Sequence, residues 1–306
     1  MSQFLISLDG KQVLISIGGA VNTINDIKNN QESFISNVNN LIEQYDLDGI
    51  DLDIQIFNFT PQDLIDTIVF IRSQLGDLKK LVITTQSVCI YPSDKVYVPE
   101  LDESEYFWNF MVPVINQVID LIDFIQVDTV RNPYLEIDVF SAEYMTAIYL
   151  GWLNVYPDFQ IEGYDGIPED KLVLSFVASE NTIEDAYYHE PSVINQAIDM
   201  LAKLGYKLYG FNVYNSFYDG ENNFTVSSQV YAHLENIYDS RNDSSNLVNA
   251  EKLSEQHLNT DDIQYNVKNT QGIYDQNEDD EKESIYGTIM ALNMTILFAI
   301  ILSVFN

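Results

Sequence analysis

The 306-residue chain carries 47 acidic and 14 basic side chains, a formal charge of −33 at pH 7. No positive surface offsets phosphate repulsion, so composition excludes nucleic acid as a partner and favours a neutral or cationic ligand over a polyanion. The length suits one domain with an appendage or two small domains, and Cys89, the single cysteine, rules out an intrachain disulfide.

Taken in chain order, the N-terminus MSQFLISLDGKQ has neither a basic leader nor a long apolar run, so it does not read as a signal peptide. VLISIGG at 13–19 reads as a buried strand ending in glycine. The next segment, SFISNVNNLIEQY at 33–45, sets Phe34, Ile35, Val38, Leu41, Ile42 and Tyr45 at helical spacing. DGIDLDI at 48–54 is a second strand and DLIDTIVFIRSQL at 63–75 a second helix. KLVITT at 80–85 follows, then a long loop with Pro92 and Pro99 and a helix, PVINQVIDLI, at 113–122. FIQVDTV at 124–130 pairs with the helix AEYMTAIYLGWL at 142–153. KLVLSFVA at 171–178 pairs with SVINQAIDMLAKL at 192–204, and YKLYGFNVYN at 206–215 closes the series.

Six strands alternating with helices predict an α/β protein with a parallel sheet covered on both faces. An open doubly wound sheet fits that order. Polar residues at the ends of several strands favour a TIM (β/α)8 barrel, whose active site gathers residues from many strand ends. Residues 1–238 form this domain, and 239–284 read as a solvated acidic linker rich in Asn and Asp. Residues 285–305 hold no charge over 21 positions, enough at about 1.5 Å per residue to cross a hydrocarbon core of roughly 30 Å. They read as a terminal transmembrane segment or the tail of a lipid-anchor signal, with a buried core helix as the alternative. The expected location is a membrane, at the cell surface or in the secretory pathway, where the sequons at Asn58, Asn223 and Asn242 would permit glycosylation.

Within LDGIDLDIQ, starting at Leu47, the residues Asp51, Asp53 and Gln55 alternate, so a strand places all three on one face. SIGG followed by DGIDLDIQ resembles the glycoside hydrolases of family 18, the chitinase family, in its compact plant and fungal class. There the third strand ends SxGG and the fourth carries DGxDxDxE. Ser16, Gly18 and Gly19 match the first motif, and Asp48, Gly49, Asp51 and Asp53 the second. ITTQSVCIYPSD at 83–94, IDFIQVDTVRNP at 122–133 and YGFNVYNSFYD at 209–219 resemble later segments of the same class, so the likeness covers about residues 10–220 in one order. It implies a barrel of which only strands three to eight are evident in this chain, and an incomplete start.

The resemblance also implies substrate-assisted hydrolysis of chitin-type linkages. A protonated glutamate gives its proton to the glycosidic oxygen while the substrate's N-acetyl carbonyl attacks the anomeric carbon. Gln55 occupies the acid's position. An amide keeps the glutamate's size and donates a hydrogen bond, but has no transferable acidic proton near neutral pH. Asp53 would orient the acetamido group, and Asp51 would lie deeper on the same face. In the register set by Asn132 and Pro133, Val130 replaces the tyrosine that holds the acetamido group and Asp128 replaces a glutamine. Tyr214 replaces the tryptophan that floors the sugar subsite, and Asn212 lies two residues before it on the same strand face.

Three readings follow. The first is a catalytically impaired, membrane-attached protein that binds N-acetylglucosamine-containing glycans. The second is an active endo-acting glycosidase in which Asp128 or Glu180 serves as a displaced acid. The third is a nonfunctional fragment. No cofactor and no metal are expected, because Asp48, Asp51 and Asp53 do not make a complete oxygen shell for a hard cation and the three histidines lack metal-site spacing. His189 reads as a surface-loop residue. The 20 tyrosines suit either a saccharide surface or packing between sheet and helices. No protein partner is legible.

Overall fold

A computed structural model describes residues 11–19, 23–92, 108–132, 134–157, 159–182 and 186–239. Six strands, β1 (Leu14–Gly19), β2 (Gly49–Ile54), β3 (Lys80–Gln86), β4 (Phe124–Asp128), β5 (Leu172–Val177) and β6 (Gly210–Tyr214), form one sheet in sequential order. Every neighbouring pair is parallel. Parallel crossovers are right-handed, so an order that always advances in one direction puts every connecting helix on the same side of the sheet. That corrects the expected cover on both faces. It also excludes the doubly wound arrangement, which needs a reversal of strand order. The sheet is part of an α/β barrel wall, with helices outside and an inner face that carries buried residues of its own.

The side-chain alternation agrees. Ile50, Leu52 and Ile54 of β2, Leu81 and Ile83 of β3, and Leu174 and Phe176 of β5 point outward into the main core. There they meet Ile42 of α2 (Gln31–Tyr45), Ile68 of α3 (Pro61–Leu75), Ile115 of α4 (Val112–Val118), Ile148 of α5 (Ala142–Trp152) and Ile198 of α6 (Pro191–Lys203). On the inner face, Leu14, Val82, Phe124 and Val173 form a separate apolar cluster. Polar inner residues share its levels, Asp51 beside Val82 and Gln126 beside Val173.

Local chemistry fixes where helices start. Thr60 caps α3 by accepting from the Asp63 N–H, the Asp63 carboxylate returns a bond from the Thr60 N–H, and Pro61 supplies a preset φ. Arg72 near the end of α3 and Lys80 at the start of β3 both reach Asp123 just before β4, at 2.8 Å each, and the Leu81 N–H adds a third bond at 2.9 Å. This joins α3, β3 and β4 at the end of the sheet opposite the polar layer.

Three helices were not foreseen: α1 (Thr23–Asn29), α7 (Ser216–Glu221) and α8 (Thr225–Asp239). The signal for α8 was present, since Val226, Val230, Leu234 and Ile237 recur at helical spacing and pack on the core. The last strand begins at Gly210 rather than 206, and the helix expected over 113–122 ends at Val118 before a single 3-10 turn, Ile119–Leu121. No helix among the described residues is long and apolar enough to cross a membrane. The segment 285–305 lies outside the described residues, as do Asn242 and nearly all of the linker.

Several tyrosines serve the framework. Tyr134 donates to the Ile90 carbonyl, Tyr144 to Thr129 and Asn132, and Tyr164 to Trp152, each ring being buried. His189 is also internal, a correction to the surface-loop expectation. It is 1 % exposed, its Nε2 lies 2.7 Å from the Val139 carbonyl, its ring stacks on Tyr144, and burial holds its pKa below the usual histidine value.

Candidate active site

Parallel registry sets the polar inner residues on three successive levels of the inner face. Ser16 pairs with Asp51, Asp53 with Thr84, Gln86 with Asp128, Asp128 with Ser175, and Ser175 with Asn212. These lie toward the C-terminal ends of the strands, where barrel enzymes assemble their sites. Gly18 makes the approach of β1 to β2 feasible. Its φ is +134° and a Cβ there would stand 2.1 Å from the Asp53 carbonyl oxygen.

Asp51 is 3 % exposed and both of its oxygens are engaged, Oδ2 by the Ser16 hydroxyl at 2.6 Å and Oδ1 by the Thr84 hydroxyl at 2.8 Å. Burial lifts its carboxyl to about 7; the two hydroxyl bonds oppose that rise and the Asp53 charge adds to it. Asp53 is raised by burial as well, against the bond it accepts from Gln55. That bond, Gln55 Nε2 to Asp53 Oδ1, is 2.7 Å long. The Gln55 backbone is held in turn, because its carbonyl accepts from Gln86 Nε2 at 3.1 Å and Gln86 Oε1 accepts from Asn132 Nδ2 at 3.2 Å.

Asp128 lies at the end of β4 on the same face. Its Oδ1 accepts the Val130 N–H at 2.8 Å. Burial raises its carboxyl to about 6; the Val130 bond opposes, the Asp53 charge raises it further, and Arg131 pulls it down. The structure therefore brings Asp51, Asp53, Gln55 and Asp128 into one electrostatic group. Asn212 donates to the Ser175 hydroxyl at 3.2 Å, one layer deeper than Tyr214, which is half-buried opposite Val177. The Tyr214–Asn215 peptide is cis. Val130 is buried and offers only its backbone, whose carbonyl accepts from the Tyr187 N–H. Glu180 is exposed beyond β5. Asp48 accepts the Val13 N–H at 2.7 Å at the start of the first strand pair.

Sequence reasoning missed Gln126. It is 0 % exposed, pairs in register with Thr84 and Val173, and neither atom of its carboxamide has a hydrogen-bond partner. The alternation Phe124, Gln126, Asp128 already marked it as inner-facing. Among the described residues no group of three or more His, Cys, Asp or Glu side chains is arranged to hold a metal.

No family model matches the chain. A curated chitinase of Enterococcus faecalis is 25% identical over 224 residues, spanning 70% of this chain and 62% of that protein, so the chain covers less than two thirds of its relative. A family GH18 chitinase of Chromobacterium violaceum superposes with a TM-score of 0.61 at 17% identity, over 76% of this chain and 67% of that one. A GH18 chitinase of Pseudoalteromonas aurantia gives 0.52 at 18% identity, over 69% and 72%. The structural likeness defines the fold, an α/β barrel of the GH18 kind. In its strand motifs and in this curated relative, the chain is similar to the chitinases of glycoside hydrolase family 18.

Proposed function

We propose that this protein is a catalytically impaired chitinase-like protein that binds N-acetylglucosamine-containing glycans. The observation that carries the reading is the bond from Gln55 Nε2 to Asp53 Oδ1. It reproduces the contact a protonated acid would make to its neighbour, yet the amide nitrogen does not release its proton near neutral pH. Loss of general acid catalysis removes about 10²- to 10⁴-fold in rate and need not remove binding. Val130 supports the same reading, since a buried isopropyl group supplies no hydroxyl to an attacking acetamido carbonyl. Residues 285–305 are the basis for placing the protein at a membrane, at the cell surface or in the secretory pathway.

A second reading, an active glycosidase with a displaced acid, is favoured by one observation: burial raises the carboxyl of Asp128 to about 6, within reach of general-acid work. The deciding experiment measures hydrolysis of a fluorogenic chitin oligomer by the parent and by Gln55→Glu, with binding of the same oligomer followed in parallel. Binding by both, with turnover only in the variant, is the expected result. Turnover by the parent that is lost in Asp128→Asn transfers the assignment to the displaced acid.

A further inference from the structure

Among the described residues, Asn58 and Asn223 begin an Asn-x-Ser/Thr triplet, reading Asn58-Phe59-Thr60 and Asn223-Phe224-Thr225. The triplet alone admits N-glycosylation, and the fold decides which acceptor has room for the bulk of a glycan. Asn58 is exposed, but its Oδ1 accepts from Asn25 Nδ2 of α1 at 3.2 Å and its backbone carbonyl from the same amide at 3.1 Å. Phe59 is buried edge-on to Phe110, with 5.6 Å between ring centres, and the Thr60 hydroxyl caps α3. Each residue of that triplet is built into the framework, and a sugar on Asn58 would stand against the α1 amide bound to it.

Asn223 stands just past the end of α7. Its N–H donates to the Gly220 carbonyl at 3.1 Å and that of Phe224 to the Asp219 carbonyl at 2.6 Å, the paired bonds of a left-handed helix stop. Asn223 and Phe224 both have a φ of +56°. Asparagine tolerates that conformation, which accounts for its backbone. Its carboxamide is exposed and enters no hydrogen bond among the described residues, so the fold gives the side chain no task. Beside it, the Phe224 side chain is 56 % exposed, with its ring tip 3.6 Å from a Cβ placed on Gly220. Phe217, one turn before Gly220 in α7, is exposed as well, so an apolar corner lies open next to the free amide. The turn itself is anchored: Asn222 Nδ2 donates to the Ala178 carbonyl at 3.4 Å, and the Thr225 hydroxyl donates to the Asn222 carbonyl.

We propose that Asn223, rather than Asn58, is the acceptor of an N-linked glycan whose first sugar lies over the open Phe224 ring. The proposal rests on the secretory-pathway placement above. The transfer is redox-neutral and its donor is an oligosaccharide carried on a lipid diphosphate. A bond forms from Asn223 Nδ2 to the anomeric carbon of the first sugar, and the bond from that carbon to the diphosphate oxygen breaks. The lipid diphosphate leaves, and Nδ2 gives up one of its two protons to solvent. The C–H face of the sugar then covers the aromatic ring while its hydroxyls stay in water, so the glycan shields the corner that folding leaves apolar.

The test expresses the full chain in a eukaryotic cell, once with its own start and once behind a cleavable secretory leader. Peptide mass spectrometry then reads each asparagine after digestion with peptide N-glycosidase, which turns a glycosylated asparagine into aspartate. Behind the leader, position 223 should be converted in most chains and position 58 in a several-fold smaller share. Asn223→Gly, which keeps the left-handed turn, and Thr225→Ala should each lose one glycan-sized step in mobility, whereas Thr225→Ser should keep it. A folded, leader-borne chain that is bare at Asn223, or modified to the same extent at Asn58, overturns the proposal. Conversion at 223 behind the leader but at no position with the chain's own start supports the acceptor and removes the secretory placement instead. Conversion at 223 in both supports the two together.

Discussion

Gln55 Nε2 donates to Asp53 Oδ1 at 2.7 Å, an amide-to-carboxylate bond at the C-terminal end of β2. On the proposed reading, this bond positions Asp53 while the amide has no transferable acidic proton to give.

If the proposed impairment holds, restoring the acid alone addresses only half of it. On the same reading, a substrate's acetamido carbonyl would still meet Val130 in Gln55→Glu, where no hydroxyl is offered. Adding Val130→Tyr should raise kcat by about 10- to 100-fold over the single variant, the range set by one hydrogen bond to a developing charge. Initial rates on a fluorogenic chitin oligomer check this. A double variant no faster than the single one would show that position 130 does not face the reacting sugar.

Asp51 links the site to stability. Its carboxyl titrates near 3.8 in the unfolded chain and at about 7 when folded, so between these values the folded protein holds a proton that the unfolded chain releases. Stability therefore falls as pH rises through that window and levels above it. The ceiling is about 4 kcal/mol, at roughly 1.4 kcal/mol per pH unit. Asp51→Asn should match the parent at about pH 4 and exceed it by about 1–3 kcal/mol at about pH 8, since an asparagine keeps the acceptor without the buried charge. Urea unfolding at both pH values measures it.

Gly18 is required on two independent grounds, a φ of +134° and the clash of any Cβ with the Asp53 carbonyl. Gly18→Ala should lose about 2–4 kcal/mol and displace Asp53, lowering glycan affinity too. Gly163, at φ +74° with nothing within 4 Å, isolates the backbone contribution; Gly163→Ala should lose only about 1–2 kcal/mol and keep affinity. Thermal unfolding and glycan titration of the two variants separate the contributions.

Cys89 is fully buried, and burial pushes its thiol up to about 12 although the Thr85 hydroxyl and the Gln86 backbone pull it back. The thiolate is the reactive form, so alkylation of the folded protein near neutral pH should be slow. Labelling should accelerate through the same denaturant range as the loss of tertiary structure. Rapid labelling of the folded protein would place Cys89 at the surface.

The sequence determined the alternation of strand and helix and the inner identity of Asp51, Asp53 and Gln55, because period-2 and period-3.6 patterns are local properties of the chain. It also fixed the absence of a carboxylic acid at position 55. Helices α1 and α7 escaped because seven- and six-residue segments carry too few turns to show a period. His189 was misread because Glu184 and Asp185 lie close to it in sequence while its neighbours in space include Tyr144 and Phe176. Only the tertiary structure decided that all helices share one side of the sheet, since that follows from strand order and crossover hand rather than from any single strand. It alone brought Asp128 of β4 within electrostatic reach of Asp53 of β2, across β3, and left the Gln126 amide buried without a partner. Registry between strands is a property of the assembled sheet, and the pocket's charge exists only there.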